Sequence, residues 1–163
     1  MGNVEQNILN SPGMMGLVEN QRTNDVVLSY RIMADSSRVM YALSIPEYIE
    51  AWLQAPNPDP LQLVFNLEAE QAFRIDLYRA EELQTIIHST CRVVSSNQVS
   101  YAWKTTSFLG THETLVDIQL RYSSSGCILA LKHTGFKDPR ESAWCCKMWQ
   151  QSLERLCRIM ARN

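Results

Sequence analysis

Residues 113–136 read ETLVDIQLRYSSSGCILALKHTGF, and the reading of this stretch decides the fold. Val116, Ile118, Leu120 and Tyr122 alternate with Asp117, Gln119 and Arg121, the pattern of a strand with one dry and one wet face. Ser123-Ser124-Ser125-Gly126 makes a turn, after which Cys127, Leu129, Leu131 and His133 resume the alternation. Two such runs joined by so short a turn form an antiparallel hairpin. His133 follows Leu129 and Leu131 on the inward phase, which aims its imidazole at the interior.

Working outward, the same alternation recurs upstream. Val99, Tyr101 and Trp103 share one face of a strand, and Phe73, Ile75 and Leu77 one face of another, with Asp76 at the outward phase, where a solvated face is the ordinary reading. Leu83–Val94 and Leu61–Leu67 complete the series. The Pro-rich segment 55–60 (APNPDP) separates this meander from what precedes it, because neither a helix nor a central strand crosses it. Before it, Val26–Met33 is a strand rich in β-branched residues. Asp35 and Ser36 offer N-caps to a short helix through Leu43. Pro46 opens a second helix toward Gln54, with Tyr48, Ile49, Trp52 and Leu53 as its apolar stripe. At the other end Asp138-Pro139 opens a long helix. On it Cys145, Cys146, Trp149, Leu153, Leu156, Cys157 and Met160 recur at helical spacing. The expected fold is α+β: an antiparallel sheet of about seven strands wrapped around a long C-terminal helix, with two short helices after the first strand. Residues 1–24, polar and interrupted by Pro12-Gly13, read as a loosely ordered arm before one domain at 25–163.

Composition removes several function classes. The 163 residues hold 15 Lys and Arg against 17 Asp and Glu, a net charge of −2, so no basic surface awaits a nucleic acid. No apolar run reaches the roughly 20 residues of a membrane span, and the N-terminus lacks the build of a signal peptide. The 5 cysteines are odd in number and form no CxxC pair. They read as reduced core thiols, which makes the cytoplasm the expected compartment. His88, His112 and His133 have no metal-ligand spacing to Cys, Asp or Glu. With no GxSxG, P-loop or dinucleotide fingerprint either, no metal, cofactor or catalytic constellation is expected.

Four stretches carry a family likeness over residues 25–160. They are ADSSRVMYALSIPEYIEAWL (34–53), STCRVVSSNQVSYAW (89–103), the opening stretch 113–136, and MWQQSLERLCRIM (148–160). In order and separation they resemble the START-like (SRPBCC) superfamily, and within it the homologues of the heat-shock protein 90 ATPase activator. The likeness implies a helix-grip fold. Two positions depart from the pattern: Met148 stands where a Gly often precedes the helix tryptophan, and Trp144 and Cys145 stand where a His is frequent.

The resemblance also implies a function. A sheet curved round one helix leaves a cleft on its concave side, and large rings with polar tips suit an apolar guest. Trp52, Phe73, Tyr101, Trp103, His133 and Trp149 are the residues expected to line it. The expectation is a non-catalytic domain binding a lipid, a sterol-like or an aromatic molecule between sheet and C-terminal helix. The alternatives are a chaperone-associated interaction module, with a protein partner or a homodimer, and a cyclase-, aromatase- or hydrolase-type enzyme. For the last, His133, Tyr101 and Arg74 are the polar groups at hand.

Overall fold

A computed structural model of the protein describes residues 17–18, 24–58, 60–69 and 71–162. In chain order these form β1 (Leu17–Val18), β2 (Val26–Ile32), α1 (Ser36–Ser44), α2 (Pro46–Trp52), β3 (Leu61–Leu67), β4 (Ala72–Arg79), β5 (Glu82–Ser95), β6 (Gln98–Ser107), β7 (Gly110–Ser123), β8 (Gly126–Thr134) and α3 (Pro139–Ala161). The strands make one antiparallel sheet ordered β1-β2-β8-β7-β6-β5-β4-β3. Strands β3 to β8 are a meander, and β2 closes onto β8. Helices α1 and α2 therefore carry the chain from the β2 side of the sheet to its far edge at β3, while α3 lies in the concave face. This is the helix-grip arrangement expected, with the two-residue β1 added beside β2. The arm expected at 1–24 otherwise lies outside the described residues, Asn24 excepted.

The local signals act where the sequence placed them. Asp35 caps α1, its Oδ1 accepting from the Ser37 amide at 3.2 Å. Asp138 caps α3 by accepting from the Arg140 amide at 2.9 Å, with Pro139 in the first turn. Gly126 is required at its turn. Its φ of +152° disfavours a side chain, and a Cβ would stand 2.1 Å from the Ile32 carbonyl oxygen. Cys91, Cys127, Cys145 and Cys157 are buried free thiols that fill the core; Cys146 is half-buried.

Four readings need correction. Helix α2 stops at Trp52, because Leu53 turns extended ahead of Ala55-Pro56. Tyr48 belongs to its outer face and meets the exposed Tyr41 ring at 5.2 Å. On α3 the buried stripe takes in Met148 and Ser152, while Cys146 and Met160 sit at its flank, half-buried. Asp76, expected on a solvated face, is buried on the convex side. There it accepts from Arg74 Nη2 at 3.0 Å and Asn66 Nδ2 at 3.3 Å, which offsets the cost of taking its charge from water.

Candidate functional site

The six residues expected at the cleft come together. Phe73 projects from β4, Tyr101 and Trp103 from β6 and His133 from β8, all at the dry phase of their strands. Trp52 comes from α2 and Trp149 from the middle of α3. None is more than 1% exposed. Trp149 is the hub, with ring centroids 5.5 Å from Trp103, 6.2 Å from His133, 6.3 Å from Trp52 and 6.5 Å from Tyr101. Phe73 meets Tyr101 and Trp103 edge-on, each at 6.4 Å, and stacks on Phe65 of the edge strand β3 at 5.0 Å. Such offset and edge contacts suit the ring quadrupoles and add to the burial of apolar area.

Apart from the Trp103 indole N–H, which has no partner among the described residues, the polar tips are tied to backbone or to neighbouring side chains. The Trp52 indole donates to the Ala42 carbonyl at 3.0 Å, and the Tyr101 hydroxyl donates to the Leu43 carbonyl. Both carbonyls belong to the last turn of α1, where no intrahelical donor remains for them. These two side chains therefore finish α1 from inside. Burial and the neighbouring Cys91 hold the Tyr101 hydroxyl well above its ordinary pKa, so it stays neutral.

The histidine is wired on both nitrogens. Trp149 Nε1 donates to His133 Nδ1 at 3.0 Å, and His133 Nε2 lies 2.7 Å from Thr114 Oγ1. An indole N–H only donates, so Nδ1 carries no proton and the neutral ring has its hydrogen on Nε2. That hydrogen goes to Thr114 Oγ1, whose own hydrogen is directed to the Trp103 carbonyl at 3.4 Å. Burial pushes the His133 pKa down to about 3. The ring is neutral at any physiological pH and offers no free lone pair to a substrate.

Arg74 does not join His133 and Tyr101. It stands one residue from Phe73 on the other face of β4, paired with Asp76. His88 is on the outer face as well, beside Glu68 at 3.4 Å, and His112 reaches Glu141 at 2.7 Å. No group of three or more potential metal ligands assembles among the described residues, and none of their helices is long and apolar enough to cross a membrane. Thr114 is the site residue the sequence reading missed. Its signal was available, a polar residue on the dry phase of Val116 and Ile118.

Two of the larger surface hollows among the described residues lie outside the ring cluster. One, of about 580 Å³, opens between the α1–α2 junction and the β3–β4 turn and is lined by Ser44, Ile45, Pro46, Leu67, Ala69 and Ala72 among others. The other, of about 540 Å³, lies between α1, α2 and the end of α3, against Arg38, Tyr41, Tyr48, Ile159 and Met160. None of the six cluster residues lines either one.

Residues 34–161 match the family model described as Activator of Hsp90 ATPase homolog 1-like protein. Solved structures share the fold. A Chromobacterium violaceum protein is 19% identical with a TM-score of 0.68, covering 86% of this chain and 99% of its own. A Mesorhizobium loti protein is 19% identical with a TM-score of 0.63, covering 85% and 98%. An AHSA1 protein of Silicibacter pomeroyi is 16% identical with a TM-score of 0.64, covering 84% and 97%. At these identities the likeness is one of fold. No curated protein is significantly similar in sequence.

Proposed function

Since this chain belongs to the family of Activator of Hsp90 ATPase homolog 1-like proteins, we propose that it is a non-catalytic binding domain for a small apolar molecule, held between the sheet and α3. One observation carries the reading: rings from α2, β6 and β8 converge on Trp149 of α3, whose indole holds a neutral, doubly hydrogen-bonded histidine. A catalytic interior needs a group free to move a proton at working pH. His133 has both nitrogens engaged and Tyr101 gives its proton to a backbone carbonyl. What remains is a surface of aromatic faces, which gains most from a flat apolar guest.

The cluster is closed in the described arrangement, so the guest enters by parting rings. The hollow beside Ile45 and Ala72 is the entry this reading favours. It adjoins Leu43 and Phe73 in sequence, and both belong to or anchor the cluster. β3, whose last residue Leu67 lines the hollow, is an edge strand whose residues are all exposed or half-buried. Titrating the protein with naphthalene while following tryptophan fluorescence tests the proposal. Saturable quenching, lost on Trp149→Ala at a temperature where the variant is still folded, is the expected result. No saturable response from naphthalene or any neutral aromatic of similar size would overturn it.

A further inference from the structure

Across the concave face the pairing of strands puts Phe73, Ser89 and Trp103 in one row, with Phe73 opposite Ser89 and Ser89 opposite Trp103. Thr105 is the next inward residue of β6, diagonal to Ser89. All four are buried, and the three polar ones share an unusual condition. Trp103 Nε1, Ser89 Oγ and Thr105 Oγ1 are buried side-chain atoms with no hydrogen-bond partner among the described residues. The other tryptophan donors of the cluster and the Tyr101 hydroxyl all have partners. Buried polar groups are nearly always satisfied, and an exception calls for a cause.

The row supplies one. Strands lie about 4.8 Å apart, so Phe73 and Trp103, two strands distant, flank the small Ser89. Their rings lean together over it to a centroid separation of 6.4 Å. A small hydroxyl residue thus sits beneath the edge contact of two large rings that a guest would part. We propose that Ser89, Trp103 and Thr105 form the polar end of the binding site and select an apolar ligand carrying one neutral oxygen function, a hydroxyl or a carbonyl. The proposal rests on the binding-domain reading above and narrows its ligand class.

The donor set gives the selectivity. The Trp103 indole only donates, so it needs an acceptor atom from the guest, while the Ser89 and Thr105 hydroxyls either donate or accept. A phenol or alcohol satisfies all three types of bond, and a ketone accepts from them. A carboxylate would also accept, but no Lys or Arg is buried among the described residues to compensate its charge. An ionised group is therefore excluded by desolvation. None of the three atoms takes part in the His133 relay, which is already complete.

The test compares naphthalene, 1-naphthol and 1-naphthoate as probes on the intact protein. 1-Naphthol is expected to bind about tenfold more tightly than naphthalene, the value of one well-made net hydrogen bond, and 1-naphthoate not to bind measurably. In ¹⁵N-edited NMR the Trp103 indole cross-peak, assigned with Trp103→Phe, moves downfield with 1-naphthol and not with naphthalene. The double variant Ser89→Ala, Thr105→Val keeps the volume of the row and removes two unpaired hydroxyls. It is expected to fold at least as stably as the parent, to retain naphthalene and to lose most of the preference for 1-naphthol. Equal affinities for naphthalene and 1-naphthol, or a preference unchanged in the double variant, would overturn this inference while leaving the binding-domain reading intact. Failure of every neutral probe to bind overturns both.

Discussion

Trp149 and His133 are joined by one hydrogen bond, from Nε1 to Nδ1 at 3.0 Å, whose direction dictates the tautomer of the histidine. The same indole is the hub of the ring cluster, so the bond and the packing can be separated by substitution. Trp149→Phe keeps a ring in place but strands Nδ1 as a buried acceptor, at a cost of about 1–3 kcal/mol. Trp149→Ala removes the ring as well and is expected to cost about 3–5 kcal/mol. Urea denaturation of both variants measures this. If the Phe variant were as stable as the parent, the bond would contribute nothing and packing alone would hold α3 to the sheet.

The buried imidazole also makes stability depend on pH. His133 titrates at about 3 in the folded chain, against roughly 6.5 when unfolded. Between those values the unfolded state binds a proton that the folded state refuses. The contribution is therefore fully present above about pH 6.5 and is lost as pH falls toward 3, at up to about 1.4 kcal/mol per pH unit. His133→Gln lacks this term. The difference in unfolding free energy between parent and variant, measured at several values from pH 7 to pH 4, is expected to shrink steadily. A difference independent of pH would show that the folded protein takes up the proton as readily as the unfolded chain does.

Ser152 makes a second interior tie. It is fully buried on α3, accepts from the Gln54 amide at 3.0 Å and donates to the Gln54 carbonyl at 3.2 Å. One hydroxyl thereby satisfies both backbone groups of the second residue beyond α2. Ser152→Ala leaves both unpaired and is expected to cost about 1–3 kcal/mol. The local signature is faster hydrogen exchange of the Gln54 amide, with the central strands unaffected. Unchanged protection at Gln54 would mean that another group holds the segment.

Much of this was legible because a strand repeats every two residues, so a run such as Leu129, Leu131, His133 declares its inner face without any knowledge of neighbours. Phe73, Tyr101, Trp103 and His133 could be nominated on that basis, and Trp52 and Trp149 on the helical spacing of their apolar neighbours. Their partners could not. The Trp149–His133 bond depends on where α3 lands across the sheet, and the Thr114 contact on the register of β7 against β8, neither of which is a local property. Tyr48 was misplaced because a helix of seven residues carries too few turns for its apolar stripe to show which flank is covered. Asp76 was misread for a related reason: a charge at the outward phase reads as solvated until the neighbours that cover it, Arg74 and Asn66, are known. Ser89, Thr105, Thr114 and Ser152 share one overlooked signal, a hydroxyl at a buried phase.

The β4–β5 turn offers a prediction independent of the cluster. Arg79 pairs with Glu82, so only Ala80 and Glu81 make the connection, and both have positive φ, 49° and 69°. A two-residue turn with positive φ at both positions matches the right-handed twist of its strands and favours Asn-Gly. For other L-residues the left-handed conformation costs roughly 1 kcal/mol each, through the clash of Cβ with the following carbonyl oxygen. Part of the relief on introducing glycine is offset by its greater freedom in the unfolded chain. Ala80→Asn with Glu81→Gly is therefore expected to stabilise the protein by about 0.5–1 kcal/mol, with a melting temperature higher by a few degrees. Glu81→Val, with a branched Cβ in the same conformation, should act in the opposite direction. Both exchanges lie at an exposed turn far from the rings, so neither is expected to alter the response to naphthalene. A lower melting temperature for the Asn-Gly variant would show that Ala80 and Glu81 do not hold the left-handed conformation in solution.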